Sequence, residues 1–377
     1  MRSSPWVGGL LMLFTIQAHA AGPLQGFGDT RFGYFASERE ARDGSESEAD
    51  DFRIRLRLGV EAELSPAWLA RGRVAGRFSD DQDRTRFWLK AWAPTPTGLE
   101  LGDSTIDELY LQYSPAGGKS WLRVGRLQTK FELGGVAAKS LDRNDSPSTD
   151  ISWTDGLHWR YQVATGWQSH LILQRNVSQG TGTTARPPLY FDDSASRVSL
   201  FAGLESTAAL GPVKQRMISV TWMPSSLATE GASADRREDY VAVTGRLGAE
   251  WPLGAQGLRF GLSGELGFAP NTPREAVVNA GTSGDAGGTA GQASINLRDF
   301  APGHGIALVY GWADAGWLLS PDFRNNDELL ELRYQWKFST AWSMEARIRR
   351  REELDIPATA LQRRVDDDLY LRVTGKF

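Results

Sequence analysis

The chain has 377 residues, with no Cys, 41 Gly, 14 Trp and 46 acidic against 42 basic side chains, for a formal charge of -4. The lack of Cys excludes a disulfide scaffold or a thiol site, and the acidic balance excludes a basic nucleic-acid binder. Beyond the N-terminus no stretch approaches the roughly 18 to 20 apolar residues that a membrane helix needs.

Arg2, the apolar run 7–16 and then Ala18, His19 and Ala20 read as a secretory signal over residues 1–20. Residues 21–377 are expected to form one domain.

From there, period-two alternation recurs, as in strands whose two faces meet different media. In 52–64, Phe52, Ile54, Leu56, Leu58, Val60 and Leu64 share one face, opposite Arg53, Arg55, Arg57, Glu61 and Glu63. Leu258, Phe260 and Leu262 repeat the pattern, as do Leu330, Leu332, Tyr334, Trp336 and Phe338. The last segment alternates Leu369, Leu371, Val373 and Phe377 with Tyr370, Arg372, Thr374 and Lys376.

Connections alternate in length. Short ones lie near 65–67, 114–119, 164–166, 207–212, 252–256, 300–303 and 339–341. Long polar ones lie near 37–51, 79–104, 130–150, 177–194, 225–238, 270–288, 314–327 and 352–366. Fifteen connections give sixteen strands; a further hairpin over 86–92 and 99–102 would give eighteen. Because opposed residues must share a face, the turns pair Glu61 with Arg71, Glu331 with Arg349, Arg333 with Arg347 and Arg160 with His170.

Alternation also suits a soluble β-sandwich. Three features favour an all-β transmembrane antiparallel barrel with short periplasmic turns and long extracellular loops. They are the export signal, the terminal strand, and the aromatic residues close to the short turns: Trp68, Tyr113, Trp121, Trp167, Trp251, Phe338, Trp342 and Phe377. Phe52, Phe78, Trp153 and Trp222 would form the opposite belt. Phe377 is the expected contact with the barrel-assembly machinery; outer-membrane lipid and lipopolysaccharide are the other expected partners, and a homotrimer is compatible with the pattern.

Charged faces must then point into the lumen. The expected pore lining is Arg53, Arg55, Arg57, Arg71, Arg73, Arg77, Arg123, Arg160, Arg333, Arg347, Arg349 and Arg372, with Arg197, Arg246, Arg259, Arg298, Lys337, Arg351 and Lys376. Facing them is a smaller acidic set: Glu61, Glu63, Glu108, Glu205, Glu250, Glu265, Glu331 and Glu345. A wall of one dominant sign concentrates the opposite ion, so small anionic solutes or acidic sugars are the expected cargo. The alternative is that the arginines bridge lumenal carboxylates and stiffen the wall. Loop 130–150, with Glu132, Asp142, Arg143 and Asp145, is the candidate constriction; an ordinary exposed loop is its alternative.

No cofactor or metal is expected. The acidic run Glu38, Glu40, Asp43, Glu46, Glu48, Asp50 and Asp51 reads as a solvated loop, or as a divalent-cation bridge to lipopolysaccharide. A barrel-embedded hydrolase is the rival from another class, but Ser169 and His170 fall on opposite strand faces and cannot act together. A structural anchor is the third reading.

Gly28-Asp29-Thr30-Arg31-Phe32, the Phe52 to Leu58 alternation, Glu108-Leu109-Tyr110-Leu111-Gln112-Tyr113 and Leu122-Arg123-Val124-Gly125-Arg126 resemble the N-terminal half of the alginate-export family of outer-membrane barrels and related porins. That resemblance implies an Arg-lined passive conduit for anionic polysaccharide or smaller acidic solutes.

Overall fold

The computed structural model describes residues 24–80, 85–87, 90–92, 100–176, 197–228, 237–254, 257–278, 284–320, 322–357 and 359–377. The signal segment, Arg197's side chain and the whole 177–194 connection lie outside them.

The strands in chain order are β1 (Gln25–Glu40), β2 (Glu46–Ser65), β3 (Trp68–Ser79), β4 (Thr85–Phe87), β5 (Lys90–Trp92), β6 (Glu100–Tyr113), β7 (Ser120–Leu127), β8 (Thr154–Ala164) and β9 (Trp167–Asn176). There follow β10 (Arg197–Ser206), β11 (Val213–Ala228), β12 (Arg237–Pro252), β13 (Arg259–Phe268), β14 (Thr289–Arg298), β15 (His304–Ala313), β16 (Asp327–Lys337), β17 (Trp342–Glu353) and β18 (Val365–Lys376). One helical turn, α1 (Glu275–Val278), sits in the β13–β14 loop.

Consecutive wall strands pair antiparallel, and β1 pairs with β18 to close the barrel. Beyond that pairing, Gly28 and Phe377 exchange backbone hydrogen bonds of 2.8 and 3.1 Å. β3 pairs directly with β6, while among the described residues the β4–β5 hairpin pairs with the wall through one parallel bridge, Phe87 to Ser104. The wall therefore has sixteen strands, and the extra hairpin belongs to the second long loop.

Burial is inverted relative to a soluble protein. Leu56 and Leu58 are 37% and 47% exposed, whereas Arg55 and Arg57 between and beside them are 0% and 5% exposed. A sandwich would hide the leucines. An isolated buried guanidinium is costly, so this pattern is stable only with lipid outside and polar partners inside.

The four pairs expected from the strand period are observed: Glu61 opposes Arg71, Arg160 opposes His170, Glu331 opposes Arg349 and Arg333 opposes Arg347. At the β2–β3 turn a bulge lets Ser65, rather than Leu64, oppose Trp68.

Three expectations need correction. The acidic 37–51 segment is not a long loop: β1 and β2 run on to Glu40 and from Glu46, pairing Glu38 with Glu48. Water solvates both faces of this extension, so it shows no apolar alternation. Trp121 is not a lipid-facing girdle residue, since it shares the inner face of β7 with Arg123 and stacks on Arg123 and Arg160. Trp153 is buried under Arg126 instead of facing the membrane.

Candidate functional site

The connection between β7 and β8 leaves the wall and crosses the interior. It starts beside Gly125 and Gly156, which oppose each other with φ of 130° and 156°. A Cβ at Gly125 would come within 2.3 Å of the Leu109 carbonyl, and one at Gly156 within 1.9 Å of the Leu173 carbonyl, so only glycine fits there. Beyond the first of these, Arg126 and Leu127 are buried in succession, as the chain turns inward.

The loop is pinned on both sides. On one, Arg55 donates to the carbonyls of Ser146 and Asp150 at 3.2 and 3.0 Å, Arg31 donates to the Ser148 carbonyl, and Arg77 meets Asp150. On the other, Val136 N bonds Asn296 of β14 at 2.8 Å, Lys139 meets Glu331 of β16 at 2.8 Å, and Leu141 N bonds Glu265 of β13 at 3.0 Å. These strands lie on well-separated parts of the wall, so the segment spans the lumen.

Three of its four candidate charges, Asp142, Arg143 and Asp145, are committed to hydrogen bonds. Asp142 accepts from Arg246, from Ser219 at 2.7 Å and from Thr244 at 2.9 Å. Although burial opposes ionisation there, the Arg246 guanidinium and the hydroxyls hold the Asp142 carboxyl below the usual carboxylate range. Asp145 bonds Thr129 and Thr154, and burial pushes its carboxyl up. Arg143 reaches Gln174 at 2.7 Å, while Glu132 stays half-buried. Burial pushes the Lys139 ammonium down to about 8 despite its carboxylate partner.

A second segment, 314–320 with 322–326, packs on the first. Trp317 donates to the Leu141 carbonyl at 2.9 Å, and Asp322 accepts from Ser140 N at 3.0 Å and Asn144 at 2.8 Å. Both pack into one apolar cluster with the wall, in which Val136, Leu141, Trp317 and Phe323 of the two segments meet Tyr240, Val309 and Leu329.

The basic wall is largely neutralised. Arg55 pairs with Asp29, Arg57 and Arg73 with Asp107, and Arg71 with Glu61 and Glu108. Arg333 pairs with Glu331 and Glu345, Arg347 and Arg349 with Asp368, Arg372 with Glu345, and Arg53 with Asp51. The expected cationic excess omitted Asp29, Asp51, Asp107 and Asp368. Asp29 could have been found, because it shares a face with Arg31. Asp107 could not: a bulge in β6 buries it together with its neighbour Glu108, and simple alternation fails there.

Arg123 and Arg160 stand apart. Among the described residues Arg123 bonds only Gln112, at 2.7 Å, and both guanidiniums lie over the Trp121 ring. His158 and His170 meet at 3.1 Å, and His170 faces Glu205 at 3.4 Å. Ser169 bonds the Tyr161 carbonyl away from them.

Comparison with solved structures places this architecture among bacterial outer-membrane porins. Pseudomonas putida OprB is similar at a TM-score of 0.60 with 8% identity, over 93% of this chain and 94% of that one. The outer-membrane channel DcaP of Acinetobacter baumannii is similar at 0.56 with 12% identity, over 95% and 98%. Pseudomonas aeruginosa OprD follows at 0.52 with 9% identity, over 94% and 95%. The fold is that of an outer-membrane porin. No family model and no curated protein sequence matches the chain, so the resemblance to the alginate-export family gains no support.

Proposed function

We propose that this chain forms a passive outer-membrane channel for small hydrophilic solutes, with a preference for anions. The observation that carries the channel reading is the inverted burial: apolar side chains outside, ionised and hydrogen-bonded ones inside. A barrel of this strand number is wide enough to hold water. The anion preference rests on less, namely the half-buried Arg123 and Arg160, which have no carboxylate partner among the described residues.

Small solutes are favoured over an alginate-like polymer because the pinned crossing loop narrows the lumen. A barrel-embedded hydrolase is disfavoured by the separation of Ser169 from His170. Purified protein in a planar bilayer is expected to give discrete conductance steps, with a reversal potential in a KCl gradient that lies toward chloride. Liposome swelling is expected to be faster with acidic than with neutral sugars of equal size. A folded but silent barrel would point instead to an anchor.

A further inference from the structure

Charge selectivity in a pore depends on cations that a passing ion can reach and that no carboxylate already neutralises. The arginines of β2 fail: Arg55 and Arg57 are covered and pair with Asp29 and Asp107, and the half-buried Arg53 is neutralised by Asp51. Arg123 and Arg160 meet both conditions. They sit half-buried on β7 and β8, with Trp121 directly opposite Arg160.

Their support is aromatic. The Arg123 guanidinium lies 4.3 Å from the Trp121 ring centre and 5.0 Å from that of Tyr110, and Arg160 lies 5.1 Å from Trp121. His158 packs edge-on against the same indole at 4.7 Å. Ring faces attract guanidinium without cancelling its charge, so apart from the Arg123 Nε that donates to Gln112, N–H groups remain for an anion. The competing acid is Glu205, which acts on Arg160 electrostatically yet makes its close contact with His170.

We propose that the charge filter of this channel is the pair Arg123 and Arg160, and that Trp121 is its positioning residue, holding Arg160 away from Glu205. The proposal rests on the anion-channel reading above and locates its selectivity below the crossing loop. Chloride is the probe, and carboxylates are the class of solute it would favour.

The test compares reversal potentials in a KCl gradient for the wild-type barrel and four variants. Arg123→Gln with Arg160→Gln is expected to lower the chloride-to-potassium permeability ratio by about fivefold, the equivalent of about 1 kcal/mol for a unit charge near a passing ion in water. Arg53→Gln with Asp51→Asn, which removes a half-buried but already neutralised cation of β2 together with its partner, is expected to change it far less. Trp121→Leu keeps both charges but frees Arg160 to close on Glu205, so it is expected to move toward the double Gln variant, whereas Trp121→Phe stays near wild type. Heat-modifiable migration on gels confirms that each variant is a folded barrel.

The outcomes separate the two readings. A wild-type channel without anion preference sinks the underlying function. An anion-selective wild type that responds to the β2 pair and not to Arg123 and Arg160 overturns the filter. Wild-type selectivity in Trp121→Leu overturns the positioning role.

Discussion

Arg246 of β12 donates to Asp142 of the crossing loop and, through Nε, to Glu265 of β13, so one buried cation ties the loop to the wall. All three side chains are almost fully covered. Removing one partner of such a group leaves uncompensated charge, which typically costs about 3–5 kcal/mol. Arg246→Met is therefore expected to lower unfolding stability in detergent by that order and to raise open-channel current noise as the loop loosens. The triple change Arg246→Met, Asp142→Asn, Glu265→Gln removes the stranded charges and should recover most of the stability. A triple variant no better than the single one would show that the network is not the latch.

The outer face makes a separate prediction. Leu332 lies mid-strand in β16, exposed, beside the covered Glu331 and Arg333. Leu332→Arg is expected to destabilise folding into lipid vesicles by about 2–4 kcal/mol, the cost of a cation on the lipid face near midplane. In detergent micelles, which deform around a charge, the loss should be smaller. Equal stability in vesicles would mean that this face does not meet hydrocarbon.

That same segment explains why the wall was legible in the sequence. Leu330, Leu332 and Tyr334 alternate with Glu331, Arg333 and Gln335 because successive side chains of a strand point to opposite faces, and lipid outside with charge inside makes the contrast large. Where one medium surrounds both faces, as at Glu38 and Glu48, the contrast vanishes and strand reads as loop. Trp121 carried a usable signal that proximity to a turn obscured: it shares its parity with Arg123, not with Leu122 and Val124. The loop's anchors are different in kind. Nothing near Asp142 in sequence indicates Arg246 or Ser219, because the pairing depends on how far the loop reaches across the barrel.

The departure of that loop depends on Gly125. With φ of 130° and the Leu109 carbonyl against the missing Cβ, Gly125→Ala must move backbone rather than a flexible side chain. A loss of about 1–3 kcal/mol is expected from the strained conformation, measured by urea unfolding of the refolded barrel. Gly117→Ala is a control for backbone strain alone: its φ is 98°, yet nothing stands within 4 Å of the added Cβ. The control is expected to lose less, and equal losses would remove the steric argument.

Lys139 gives the loop a pH dependence of definite sign. Burial pushes its ammonium down to about 8, from the ordinary 10.5 it regains when the loop swings free. Below pH 8 both states carry the proton, and the cost of burying the charge is constant. Between about 8 and 10.5 the released loop binds a proton that the docked loop does not, so docking gains stability as pH rises. Brief current fluctuations from loop excursions are thus expected to become rarer across that window. Lys139→Met, which cannot titrate, should show a smaller change over the same range. Fluctuations that grow with pH in the wild type and not in Lys139→Met would show that the ion pair with Glu331, not the burial cost, governs docking.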